Sequence, residues 1–134
     1  MQGGGEIRKP DKVLFPELSY KIVKVLFDMH NELGGRYQEK YYQRAVALAF
    51  DKKSIKYKKE LAVDLKFQGE TIGRYLLDFL IDDKIIVELK TVVRFCHDDI
   101  RQVLGYLKAN NLKLGILVNF RGEELIYKRI INSI

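Results

Sequence analysis

Hydrophobic positions along the chain change period more than once. Leu18, Ile22, Val25, Leu26, Met29 and Leu33 recur at helical spacing, which puts them on one face of a helix. Pro16 and Ser19 stand near its start. Gly34-Gly35 supply the stop, since glycine takes the left-handed conformation at a helix end without a β-carbon clash. A second helix is expected from about Gln38 to Lys52, with Tyr42, Ala45, Val46 and Ala49 as its stripe. After Lys53 the period falls to two. Leu61, Val63, Leu65 and Phe67 point one way while Glu60, Asp64 and Lys66 point the other, the pattern of a half-exposed strand. Gln68-Gly69-Glu70 reads as a turn. Two apolar stretches, Tyr75 to Ile81 and Ile85 to Leu89, flank Asp82-Asp83-Lys84 and read as a hairpin buried on both faces. Ile100, Val103, Leu104 and Leu107 mark a helix from about Asp98 to Ala109, ended by Asn110-Asn111. Leu112 to Phe120 is a further apolar strand. Arg121-Gly122 turns the chain, and Leu125 to Ile131 is expected to form the last strand. The order α-α-β-β-β-α-β-β describes a mixed α/β domain.

Charged residues inside apolar strands are exceptions that call for a reason. The hairpin carries three: Asp78, Glu88 and Lys90. Glu88 and Lys90 lie two apart and share a strand face. A three-residue loop pairs Ile81 with Ile85 and sets Asp78 opposite Glu88, where Cβ atoms are about 4.5–5.5 Å apart. Leu77, Phe79, Ile81, Ile85, Val87 and Leu89 then pack on the opposite face. Two carboxylates that close repel unless a cation or a shared proton intervenes. A divalent metal bound through oxygen, Mg²⁺ or Mn²⁺, is one answer. A salt bridge from Lys90 to one carboxylate is the other.

The 134 residues suit one domain, and neither a long Pro/Gly/Ser tract nor a repeat divides them. Residues 1–15 read as a loose, Gly-rich lead-in. Lysine and arginine exceed aspartate and glutamate by 24 to 18, a net charge of +6, which favours polyanionic partners modestly. The single cysteine, Cys96, excludes an intramolecular disulfide and any cysteine-rich metal cluster within one chain, and it suits a reducing cytoplasm. No apolar run reaches the roughly 18 residues of a membrane span, so no membrane association is expected. A phosphate-binding G-x-x-x-x-G-K-[ST] loop is absent, which leaves ATP hydrolysis unsupported. His97 lacks the further ligands of a zinc site and reads as a helix-start residue, with Asp98 or Asp99 as the helix cap. His30 reads as structural.

Asp78, followed after nine residues by Glu88-Leu89-Lys90, resembles the D…(D/E)-x-K signature of the PD-(D/E)xK nuclease superfamily. The order of elements is similar too: a helix, a three-stranded meander carrying the signature, a helix and a further strand. More closely, Leu33-Gly34-Gly35, Glu39, Tyr42 and Ala45, then IVELK at 86–90, Gln102, Tyr106-Leu107-Lys108 and GILVNF at 115–120 look like the GxxExxY proteins, over roughly residues 18–131. The glycine that names that motif is replaced here by Arg36.

The resemblance implies a restriction-endonuclease-like mixed sheet flanked by helices and a metal-dependent nuclease acting on nucleic acid, with DNA the expected form. Asp78, Glu88 and Lys90 become the catalytic set. Glu39, Asp78, Glu88 and the backbone carbonyl of Leu89 become ligands of Mg²⁺ or Mn²⁺. Glu39 also has a simpler reading, an acid stabilised at a helix N-terminus. Gln102 and Tyr106, spaced i, i+4, resemble the substrate-contacting Q-x-x-x-Y pair of RecB-like nucleases, although a surface pair beside a core stripe has the same spacing. Arg74, Lys84, Arg94, Arg101 and Lys108 are candidates to follow a phosphate backbone. A homodimer is expected by analogy with other small nucleases. The alternative is a nuclease-fold domain that binds nucleic acid or a partner without turnover.

Overall fold

The computed structural model describes residues 14–133, so the lead-in lies outside the described residues except for its last two. Two helices, α1 (Pro16–Leu33) and α2 (Glu39–Lys52), precede three strands, β1 (Tyr57–Phe67), β2 (Glu70–Ile81) and β3 (Ile85–Lys90). Helix α3 (His97–Ala109) then leads to β4 (Leu114–Asn119) and β5 (Ile126–Ile131). The strands form one sheet in the order β1-β2-β3-β4-β5. All neighbours are antiparallel except β3 and β4, whose parallel pairing requires a crossover, here α3. The expected element order and mixed sheet are those observed.

The central strands explain their own sequences. β4 is buried at every position and β3 at all but Lys90, because helices cover both faces of the sheet. Helices α1 and α2 supply Ile22, Leu26, Tyr42, Val46 and Phe50 to one core, against Phe79, Ile81, Ile85, Val87 and Leu89. Helix α3 supplies Val103 and Leu107 to the other, against Leu77, Leu80, Ile86 and Leu117. Gly115 lets α3 approach: a β-carbon there would lie 2.5 Å from Val103 Cγ1.

Leu77 corrects the expected face assignment, for it packs beneath α3 while Phe79 and Ile81 face α1 and α2. The alternation slips by one position at Asp78. The β1–β2 register runs from Lys59↔Phe79 to Leu61↔Leu77 and omits Glu60 and Asp78. Glu60 has a left-handed φ of 57°, which a strand residue with a β-carbon adopts only at an energetic cost. β1 slips at the same level, since Tyr57 belongs to the first core and Leu61 and Val63 to the second. Farther out, beyond Val63 and Tyr75, the hairpin runs past the core. Leu65, Phe67 and Ile72 are exposed there, and β2 begins at Glu70, earlier than its apolar stretch indicates.

The elbow between α1 and α2 is built on backbone approach. Gly34 ends α1 at φ 81°. At Gly35 a β-carbon would sit 1.9 Å from the Gly122 carbonyl oxygen, so only glycine fits. The Tyr42 hydroxyl donates to the Gly34 carbonyl and accepts from the Tyr37 amide, and its ring stacks on Phe120 at 4.5 Å. His30 Nε2 lies 3.0 Å from both the Phe120 and Gly122 carbonyls. Two acceptors require a protonated Nε2, so His30 is a structural donor, as expected from the sequence.

Candidate active site

The site lies where β2 and β3 part. Their ladder holds from Ile81↔Ile85 to Phe79↔Val87 and goes no further. At the next level the two carboxylates take the place of carbonyls. The Asp78 amide donates to Glu88 Oε1 at 2.9 Å, and the Leu89 amide donates to Asp78 Oδ2 at 2.7 Å. Backbone amides left without partners inside a protein are costly, so each acid satisfies an amide that the parting strands release. This exchange holds Asp78 and Glu88 side by side.

Other elements complete the cluster. Gln43, on α2, donates from Nε2 to Asp78 Oδ1 at 2.7 Å and to Glu39 Oε2 at 3.2 Å. Lys90 Nζ lies 3.8 Å from Glu88 Oε2 and 3.5 Å from Asp99 Oδ1. Asp99 in turn accepts the Cys96 amide at 2.9 Å, closing the first turn of α3. The loop after Lys90 is clamped by buried Asn119, whose amide group accepts from Val92 N and donates to Val92 O. The cleft over these residues has a volume of about 630 Å³ and is lined on its other sides by Lys40, Arg44, Lys59, Tyr75 and Gln102.

Burial and like charge strain the acids. Glu88 is only 6% exposed. Burial, and after it the Asp78 charge, pushes its pKa up to about 8. Burial also raises Asp78, against the opposing pull of the Leu89 amide, and raises Glu39, with Asp78 adding to the effect. For Lys90 burial alone would lower the pKa, but the charges of Glu88, Asp99 and Glu39 outweigh it and hold the ammonium above its ordinary value. Burial likewise opposes ionisation of Asp99, and the Cys96 amide and Lys90 overcome it. A buried acid pair with one nearby lysine has a chemical meaning: the site favours an added positive charge or a shared proton.

A sequence model of the PD-(D/E)XK nuclease superfamily matches residues 16–130. The chain belongs to that superfamily. Membership points to nuclease activity. The chain is also similar in fold to a solved structure titled "Crystal structure of SSO0001", at 16% identity and a TM-score of 0.53. The likeness covers 93% of this chain and 63% of that one. No curated protein matches the sequence.

Within this PD-(D/E)XK fold the expected residues separate. Asp78, Glu88, Lys90, Glu39 and Gln102 all line the cleft. Tyr106 does not; it packs against the core beneath α3 with Leu104 and Leu112. Arg74, Lys84 and Arg101 instead pair with Asp64, Asp82 and Asp98, and the cations on the cleft besides Lys90 are Lys40, Arg44 and Lys59. Both readings of Lys90 meet in one geometry, because it is an ion-pair partner of Glu88 and a wall of the cleft. Gln43 has no counterpart in the sequence reading, and Asp99, expected only as a helix cap, also reaches Lys90. Gln43 shares a helix face with Glu39 at i, i+4, a spacing that could have flagged it.

Among the described residues no three His, Cys, Asp or Glu side chains are already arranged around one point as metal ligands; Asp78 and Glu88 spend oxygens on amides and on Gln43. The donor set itself fits a hard divalent cation. It is oxygen only, and the raised pKa values of Glu39, Asp78 and Glu88 are the strain that such a cation relieves.

Proposed function

We propose that the chain is a metal-dependent nuclease that hydrolyses phosphodiester bonds, with DNA as its substrate. The observation that carries this reading is the convergence of Asp78, Glu88 and Lys90 with Glu39 in a cleft rimmed by Lys40, Arg44 and Lys59. Residues 1–134 act as one nuclease-like domain of the GxxExxY type, in the cytoplasm, as a homodimer and without a membrane partner. The Glu39 and Tyr42 spacing and the Gly34-Gly35 elbow support the GxxExxY assignment.

Glu39, Asp78, Glu88 and the Leu89 carbonyl would hold Mg²⁺ or Mn²⁺, which supplies Lewis-acid polarisation of a phosphate and a more acidic water. The chain's own residues do the rest. Gln43 orients Asp78 and Glu39 by donating to both. Lys90 carries its proton, since the acidic groups around it, Asp99 among them, hold it in the ammonium form. It therefore opposes the negative charge that develops on the phosphorus oxygens and orients the attacking water, and it is not the base. Asp99 fixes the ammonium from the side of α3. Lys40, Arg44 and Lys59 bind the flanking phosphates, and Gln102 contacts the substrate. Tyr106, half-buried one turn along α3 from Gln102, is the second candidate substrate contact.

Incubation of the purified chain with single-stranded, duplex and branched DNA, with Mg²⁺ or Mn²⁺ and with chelator, tests the proposal. Cleavage that requires metal is expected. Binding without cleavage of any form would replace it with the reading of a binding domain that has no turnover.

A further inference from the structure

Helix α2 presents the cleft with one face and solvent with another. On the solvent face Tyr41 is 45% exposed, and Tyr37, in the turn just before the helix, is 52% exposed. Their centroids are 6.4 Å apart, with the planes inclined at 70°. Lys40 Nζ lies 5.3 Å and the Arg44 guanidinium 5.7 Å from the centroid of the Tyr41 ring. Lys40 and Arg44 also line the cleft beside Asp78 and Glu88. At the other end, Tyr37 and Arg36 line a separate recess of about 390 Å³ with Arg121 and Thr91, the residue that follows Lys90. The two rings thus sit between the cations on the rim of the candidate active site and a second recess lined by Arg36 and Arg121.

We infer that Tyr37 and Tyr41 form a stacking platform for unpaired bases, with Lys40, Arg44, Arg36 and Arg121 following the phosphates, so that the substrate is engaged as a single strand. Exposed rings interleaved with cations are the combination that holds single strands, because every unpaired base offers a π-face and every linkage a charge. A duplex cannot use them in this way. Its bases are about 3.4 Å apart along each strand and cover one another's faces, whereas these rings are farther apart and far from parallel. Two splayed bases of an extended strand suit that geometry. The Tyr37 ring also meets the buried Tyr42 ring edge-on at 6.1 Å, a contact that phenylalanine keeps and alanine removes. The bond that joins Tyr37 to Tyr42 uses the Tyr37 backbone amide, and the Tyr41 amide bonds to the Gln38 carbonyl, so truncating either side chain spares both.

This substrate class rests on the nuclease reading for what becomes of the strand, but the test reads binding alone. Fluorescence anisotropy with labelled dT20 and with a 20-base-pair duplex, in chelator at one fixed salt concentration, compares the wild type with the Tyr37→Ala/Tyr41→Ala and Tyr37→Phe/Tyr41→Phe double variants. The wild type should bind dT20 more tightly than the duplex. The alanine pair should weaken dT20 binding by about tenfold or more and change duplex binding less than twofold, and the phenylalanine pair should retain wild-type affinity for dT20. Equal or tighter binding of the duplex by the wild type would overturn the inference. So would an alanine pair that leaves dT20 affinity unchanged or weakens both ligands alike. A chain that passes this test yet cleaves nothing with metal would refute the nuclease reading and leave the platform standing; one that cleaves but fails it would do the reverse.

Discussion

Glu88 gives the site a stability signature that can be read without any substrate. Its carboxylate is nearly inaccessible and lies beside Asp78, which raises its pKa from 4.5 to about 8. Below pH 4.5 the residue is protonated in both the folded and unfolded chain and has no linked effect. Between 4.5 and 8 the unfolded chain releases the proton while the native state keeps it, so native stability falls as pH rises. Above 8 the loss is complete. At 1.36 kcal/mol per pH unit it amounts to on the order of 5 kcal/mol, a large share of a typical domain's stability. Glu88→Gln preserves the acceptor for the Asp78 amide and removes the titration. In chelator, urea midpoints of wild type and variant should be close at pH 5. By pH 8.5 the variant should lead by on the order of 2 M, for a urea dependence of about 2 kcal/mol per molar. Asp78→Asn should shrink the same pH dependence, because the Asp78 charge is the second cause of the rise. Wild-type and Glu88→Gln midpoints that run parallel from pH 5 to 8.5 would refute the buried, strained pair.

Mg²⁺ or Mn²⁺ should raise the melting temperature of the wild type, by the equivalent of about 2.7 kcal/mol at a hundredfold excess over Kd, and Asp78→Asn should blunt that response in thermal scans with and without chelator. Gly35→Ala should destabilise the chain by about 1–3 kcal/mol, measured by urea unfolding, because the new methyl meets the Gly122 carbonyl at 1.9 Å.

Much of this arrangement was legible in the sequence because it is local. Apolar stretches interrupted by Asp78, Glu88 and Lys90 marked the candidate site, and the loop at Asp82 to Lys84 set its register. Asp82 and Asp83 take left-handed φ values of 52° and 56°, which a tight hairpin turn requires and aspartate tolerates. What escaped depends on three dimensions. The left-handed Glu60 shifts β1 and β2 together, so strict alternation misplaced Leu77. Gln43 meets Asp78 across 35 residues, and Lys90 meets Asp99 across a loop; no local pattern encodes such pairs. Gln102 and Tyr106 share a nominal helix face, yet α3 sits so that Gln102 lines the cleft while Tyr106 packs, half-buried, against the second core. The periodicity of a helix fixes its faces but not its rotation against the sheet.

The central claim is that Asp78, Glu88 and Lys90 act on a phosphodiester, and single-turnover cleavage by wild type and Lys90→Ala tests it most directly. Lys90 is an ammonium held between carboxylates and is not among the expected ligands. Its loss should leave the metal-dependent rise in melting temperature largely intact while slowing cleavage about a hundredfold to a thousandfold. Cleavage by Lys90→Ala at the wild-type rate, or no metal-dependent cleavage by the wild type on any form of DNA, would contradict the account.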